Sequence, residues 1–271
     1  MHRLFLLRAY GDFVILIQAL IQSPQKNKYS LIVSQHLEPL FKELALVIDL
    51  SSLPIQFVNF GINTSQLRLF TNKHLLSVDT LKELHKLKKF IQQNPNTKGQ
   101  DYIEQSTRIS ALRFLTGIAF KPMIDKQLVY ANYDLFFKNT GPKQYEIKPL
   151  DTVLILPDAR LKKRVLNLDI IESIKNYYNQ KAVKTSIARF KHRIDKDDIV
   201  YTNFKELIMY IQKANFIIAA DSLPIHLAQL LNKPHFMLFP NGHPKNFITP
   251  YTEEHNSYGE FSNFKLPIKK L

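Results

Sequence analysis

Between Asn215 and Pro240 the chain reads strand, tight turn, helix, strand, and this order restricts the folds it can join more than any other stretch. Phe216, Ile217, Ile218 and Ala219 form a short apolar run, and Asp221 and Ser222 then supply side-chain oxygens at a helix N-cap position. Leu223, Leu227, Leu230 and Leu231 follow at a spacing that puts all four on one helix face. Asn232-Lys233-Pro234 stops that helix, and His235 to Phe239 is a second apolar run. The result is a βαβ unit, which builds parallel sheet. Ligands of such sheets lie beyond the carboxyl ends of the strands, where helix N-termini present free N–H groups that favour anions.

The start of the chain repeats the arrangement. Leu4 to Leu7 has the character of a buried strand and runs into Arg8-Ala9-Tyr10-Gly11-Asp12; a helix then shows Phe13, Leu16, Ile17, Leu20 and Ile21 on one face until Ser23-Pro24 ends it. Strand, glycine turn and helix open a Rossmann-like domain. The Gly-x-Gly-x-x-Gly fingerprint is absent, so no dinucleotide cofactor is expected. Asp12 has two readings at this stage, a cap on the first helix or a carboxylate with a chemical role.

Leu31 to Val33, Ala45 to Ile48 and Ile55 to Val58 read as further strands, with a short helix over His36 to Lys42. Val78 to Ile91 reads as an amphipathic helix, and Gln100 to Tyr130 as helical around Ile109 to Ile118. The lysines of the first of these, Lys82, Lys86, Lys88 and Lys89, make a solvated face, with a membrane-surface or acceptor-binding role as the sharper alternative. From Asn132 to Pro149 the periodicity is lost and Asn139, Gly141, Pro142 and Pro149 gather, which marks a linker and divides the chain into domains at 1–148 and 149–271.

The second half opens with a strand at Val153 to Leu156 that leads into Pro157-Asp158-Ala159-Arg160-Leu161-Lys162-Lys163-Arg164. Cations at the carboxyl end of a strand are placed to meet an anion, and the plainer reading is an exposed basic loop. Leu168, Ile171, Ile174 and Tyr178 mark a helix, Ala182 to Ile187 a strand, and Phe204, Leu207, Ile208 and Ile211 another helix. Asp195-Lys196-Asp197-Asp198 contains an Asp-x-Asp tripeptide of the kind that holds metal–diphosphate, but it precedes Ile199-Val200-Tyr201 and reads as a solvated loop. No trio of His, Asp or Glu has metal-site spacing.

Bulk properties constrain partners more than fold. The formal charge of +14 suits a nucleic acid, an anionic lipid leaflet or a phosphorylated glycolipid, and equally a solvated lysine-rich surface. Zinc-finger spacing and a ribonucleoprotein signature are both missing, so nucleic acid is not expected. No apolar run approaches the roughly 20 residues that span a bilayer, and Leu4 to Leu7 is too short for the apolar core of a signal peptide. With no cysteine to form disulfides, the expectation is a cytoplasmic protein, with peripheral contact at the inner face of the membrane as an option.

Ala220-Asp221-Ser222-Leu223-Pro224-Ile225-His226-Leu227-Ala228, followed by Lys233-Pro234 and Leu238-Phe239-Pro240, resembles the Asp-Thr-Gly-Pro-x-His-Leu-Ala, Lys-Pro, Leu-Phe-Gly signature of glycosyltransferase family 9, which contains the ADP-heptose:lipopolysaccharide heptosyltransferases. Arg8-x-x-Gly11-Asp12 resembles the family's N-terminal Gly-Asp motif, and Pro157 to Lys163 its donor-site segment. Pro240-Asn241-Gly242-His243-Pro244 resembles its Gly-Pro-Thr-x-Pro loop. The resemblance implies an α/β fold of GT-B type, two Rossmann-like domains with parallel sheets facing a central cleft, in which the second holds the nucleotide sugar and the tail returns to the first. It implies an inverting, metal-independent glycosyltransferase without a cofactor, moving a sugar such as heptose from a nucleotide diphosphate sugar to a lipopolysaccharide-type or other surface glycan. It makes Asp12 the catalytic base and Lys163 the lysine that meets the diphosphate, with Gly11, Arg8, Asp158, Ala159, Arg160, Lys162, Asp221, Ser222, Leu223 and His226 binding substrate. His226 either touches phosphate or is hydrogen-bonded within its own domain. Leu223 stands where the family has the glycine that lets a diphosphate approach the backbone. The alternative is a protein that keeps the fold and binds a nucleotide sugar or an anionic surface without transfer.

Overall fold

The computed structural model describes residues 2–6, 9–59, 78–93, 102–103, 121–122, 128–139, 145 and 150–267. The chain divides into two compact units, Met1–Thr140 and Gly141–Leu271.

In the first unit, β1 (His2–Leu6), β2 (Tyr29–Ser34) and β3 (Ile55–Val58) pair in parallel in that order. Helix α1 (Tyr10–Ile21) crosses from β1 to β2 and is buried continuously from Phe13 to Leu20, so apolar residues occupy more than one of its faces. A 3-10 turn leads into α2 (Glu38–Ala45), whose Leu40 and Leu44 are buried. Helix α3 (Val78–Gln93) follows, with Lys82, Lys86, Lys88 and Lys89 exposed. Two short strands, β4 (Tyr102–Ile103) and β5 (Lys121–Pro122), pair with each other.

Two expectations are corrected here. Ala45 to Ile48 is not a strand, because α2 runs through Ala45 and its last turn continues with the Leu46 and Val47 amides on the Glu43 and Leu44 carbonyls. Leu46 is left 75% exposed. Four apolar residues in a row fit a helix end as well as a strand, and the burial of Leu40 and Leu44 decides for the helix. Nor is the stretch from Asn132 onward all linker, since α4 spans Val129–Phe137. Val129, Tyr130, Tyr133 and Phe137 are buried, Phe137 meets the Tyr29 ring edge-on at 5.0 Å, and Ser23 Oγ donates to the Phe137 carbonyl at 3.0 Å. The helix expected around Ile109 to Ile118 lies outside the described residues.

The second unit is a six-stranded, all-parallel sheet of β6 (Thr152–Leu156), β7 (Lys184–Phe190), β8 (Ile199–Tyr201), β9 (Phe216–Ala220), β10 (His235–Phe239) and β11 (Tyr258–Glu260), in the order β11-β10-β9-β6-β7-β8. Every residue of β9 and β10 is buried, as continuous apolar runs require when a parallel sheet is covered on both faces. Helices α5 (Leu168–Asn179), α6 (Phe204–Lys213) and α7 (Leu223–Leu230) connect the strands, and α8 (Pro250–Glu254) precedes β11. Ile171, Ile174 and Tyr178 of α5 pack on Ile155, Phe216, Ile218, Phe236 and Leu238. Helix α7 ends in a Schellman turn: Asn232 is left-handed (φ 54°), its amide bonds the Gln229 carbonyl, and the Lys233 amide bonds that of Ala228.

A further correction concerns one strand of this sheet. The strand expected at Ala182 to Ile187 begins two residues later and runs to Phe190, because Ala182 is left-handed (φ 55°) and closes the turn after α5. Of the tail from Tyr251 to Leu271, expected to pass back to the first domain, Phe261, Phe264 and Leu266 lie against the core of the second unit and Tyr177 Oη donates to the Leu266 carbonyl at 2.9 Å, while residues 268–271 lie outside the described residues. Among the described residues no helix is long and apolar enough to cross a membrane.

Candidate functional site

Counted from β6, the second sheet runs 3-2-1-4-5-6, so successive crossovers leave β6 towards one edge and β9 towards the other. The crevice of such a sheet opens between the carboxyl ends of these two strands. Leu156 lies opposite Ala219 there, followed on one side by the Pro157–Arg164 loop and on the other by Asp221-Ser222 and the start of α7.

Asp221 is 2% exposed, and its carboxylate is held rather than free. Arg164 Nη1 lies 3.0 Å from its Oδ2 and also donates to its backbone carbonyl at 3.3 Å, while His243 Nε2 stands 3.2 Å from the same Oδ2. Burial and the neighbouring Arg164 charge hold the His243 imidazole below its ordinary range despite the pull of Asp221. A neutral His243 then donates Nε2–H to Asp221 and keeps Nδ1 as an acceptor. Gly242 (φ 65°) makes the left-handed turn that brings His243 back to this point.

Two expected caps are therefore absent. Ser222 is the N-cap of α7 by position, yet its side chain accepts no hydrogen bond from the helix; Oγ donates to the carbonyls of Asp158, at 3.1 Å, and Ala220, at 3.3 Å. Its hydroxyl ties together the two strand ends that border the crevice, and Asp221 faces Arg164 and His243 instead of the helix amides. Leu223 is partly buried, and Pro224 and His226 are buried. The His226 ring lies 6.3 Å from that of Phe247.

Asp158 is also engaged. Its Oδ2 accepts the Phe190 amide at 2.7 Å, and Arg189 and His192 face its Oδ1, each at 3.7 Å. Arg189 is buried and pairs through Nε with Asp198 at 2.8 Å. Asp198 further accepts the amides of Ile194 and Asp195, each at 3.0 Å. Burial raises the cost of ionising Asp198, but these amides and Arg189 outweigh it and hold its carboxyl below the usual range. The Asp195–Asp198 run is thus only partly solvated: its last carboxylate is the buried anchor of the loop between β7 and β8.

Of the other expected residues, Ala159 packs against the core, while Arg160, Lys162 and Lys163 are exposed, the last two in a 3-10 turn that ends at Arg164. In the first unit, Asp12 is in the opening turn of α1, where Oδ2 accepts the Ala9 amide at 3.3 Å, and Gly11 precedes it, partly buried. Arg8 lies outside the described residues. Arg164 and His243 are the residues that sequence reasoning missed. Both stood in segments already singled out, and the missing signal was which member of each segment turns inward. Among the described residues, no cluster of three or more His, Asp or Glu side chains forms a metal site.

Residues 180–267 match the sequence profile of glycosyltransferase family 9 (heptosyltransferase). No curated protein matches the chain by sequence. Among solved structures, the chain is similar to E. coli heptosyltransferase WaaC with ADP, at 10% identity over 96% of this chain and 92% of that one, with a TM-score of 0.58. It is similar to the same enzyme with ADP-2-deoxy-2-fluoro heptose, at 11% identity over 92% of each chain and a TM-score of 0.55. A glycosyltransferase of family 9 from Veillonella parvula gives 11% identity over 98% of this chain and 91% of the other, with a TM-score of 0.57. At these identities the likeness is one of fold: the chain has the α/β architecture with parallel sheets of these GT-B proteins, and it is family 9-like where the profile matches.

Proposed function

We propose that this chain is an inverting glycosyltransferase that moves a sugar from a nucleotide diphosphate sugar to a glycan or glycolipid hydroxyl. The observation that carries the reading is the crevice of the second sheet, where Asp221, Ser222, Arg164 and His243 converge on the carboxyl ends of β6 and β9 beside Lys162 and Lys163, within a unit that matches family 9 over residues 180–267. The two E. coli heptosyltransferase structures named above hold ADP and ADP-2-deoxy-2-fluoro heptose, which favours a nucleoside diphosphate heptose as donor and a lipopolysaccharide-type acceptor.

In this reaction the acceptor oxygen attacks the anomeric carbon while the bond from that carbon to the diphosphate oxygen breaks. Asp12 takes the acceptor proton, and the departing nucleoside diphosphate keeps the electron pair. Lys163 and its basic neighbours oppose the charge that grows on the leaving group, so transfer proceeds without a divalent metal. The basic surface meets an anionic acceptor or the inner leaflet from the cytoplasmic side.

A thermal-shift screen of nucleoside diphosphates and their sugars tests the reading, because a ligand at 100 times its Kd raises stability by about 2.7 kcal/mol. The expected result is a shift with one donor class, then transfer that survives chelator and falls by about 10³-fold in Asp12→Ala with donor binding kept. No shift with any of them refutes the proposal. A second reading, donor binding without transfer, is favoured by Leu223 at the family's glycine position and by the engagement of Asp158 with the β7 loop. It is distinguished by a wild-type protein that binds donor and turns over none.

A further inference from the structure

The sequence assigns the diphosphate to Lys163, but the fold turns the next residue towards the crevice. Arg164 Nη1 is committed twice to Asp221, once to its carboxylate and once to its carbonyl, which fixes the guanidinium plane at the carboxyl end of β9. The rest of the fork is uncommitted: Nε is buried without a hydrogen-bond partner, and among the described residues none bonds to Nη2. Three N–H donors therefore remain on one planar group. Two of them, Nε–H and one Nη2–H, point side by side along the edge that Nε and Nη2 share, the arrangement that binds two oxygens of a phosphate. A buried donor with no acceptor is unfavourable, so Nε has reason to take a ligand oxygen. Lys163, by contrast, is exposed on the same 3-10 turn.

Resting on the glycosyltransferase reading, we infer that Arg164 is the residue that grips the diphosphate of the donor, and that Asp221 acts as a positioning residue by holding its guanidinium. His243 meets the same Oδ2 at 3.2 Å and helps to keep the carboxylate turned to Arg164. This arrangement gives a cationic anchor to a crevice where Leu223 has replaced the residue type that would let the backbone come close.

Isothermal titration of the full chain with ADP, GDP, UDP and CDP, and with inorganic pyrophosphate, tests the inference on wild type and Arg164→Lys. The variant keeps the charge and loses the fork. Its affinity is expected to fall tenfold or more for the preferred nucleoside diphosphate and by a similar factor for pyrophosphate, which carries no base, with cooperative thermal unfolding retained. A loss below fivefold for both ligands overturns the inference while leaving the glycosyltransferase reading in place. Failure of wild type to bind any of these ligands overturns both. If Arg164→Lys does not fold, Asp221→Asn, which keeps the guanidinium and weakens its hold, gives the same comparison.

Discussion

His235 has both ring nitrogens engaged: Nδ1–H donates to the Lys233 carbonyl and Nε2 accepts from the Thr249 hydroxyl, each at 2.6 Å. The ring also lies 4.7 Å from that of Tyr251, whose amide donates to Gln229 Oε1 at 2.9 Å, so one imidazole joins β10 to the segment that leads into α8. Complete burial depresses its pKa from 6.5 to about 3, against the opposing effect of the Lys233 carbonyl. On acidification the unfolded chain therefore takes up the proton first. The contribution of this site is full above about pH 6.5 and is lost towards pH 3, at about 1.4 kcal/mol per pH unit. Urea unfolding as a function of pH should show that slope, and His235→Asn should flatten it. At this scale the sequence was legible for residue type and less so for pairing. Asp221 was identifiable from its neighbours, but its partner Arg164 comes from a loop 57 positions away, and nothing in Lys162-Lys163-Arg164 tells which cation turns inward.

Strands and helices with a strong period were read correctly, as β9, α7 and β10 show, because an apolar run, a breaker and a second run leave few arrangements open. Errors fell where a local pattern had two solutions and the burial of other residues, near or distant in sequence, chose between them. Ala45 to Ile48 became a helix end once Leu40 and Leu44 were buried, and the stretch after Asn132 became α4 because Tyr29 and Ser23, more than a hundred residues earlier, gave Phe137 a place to dock. Lys233 explains physically why a lysine precedes Pro234: Nζ donates to the carbonyls of Gln212 and Ala214 and ties the end of α6 to the start of β10. At β11, a Cβ on Gly259 would lie 2.4 Å from Phe264 Cβ and 2.9 Å from its Cα. Gly259→Ala should therefore force the tail off the sheet and cost about 1–3 kcal/mol, measured by urea unfolding.

Each unit has its own parallel sheet and its own buried core, and the second includes the whole of the crevice at Asp221. Residues 141–271 expressed alone should unfold cooperatively on heating and keep nucleoside diphosphate affinity within about tenfold of the full chain; a non-cooperative melt would show that the second core does not suffice. The sheet of this unit narrows from five- and seven-residue strands to three at each margin, in β8 and β11. Just past the second margin the chain doubles back on itself, with the Glu260 amide on the Asn263 carbonyl at 3.2 Å. Neither rim of this sheet offers enough unpaired backbone for a neighbouring molecule to zip onto, so its buried apolar strands are shielded from edge-wise stacking into aggregates.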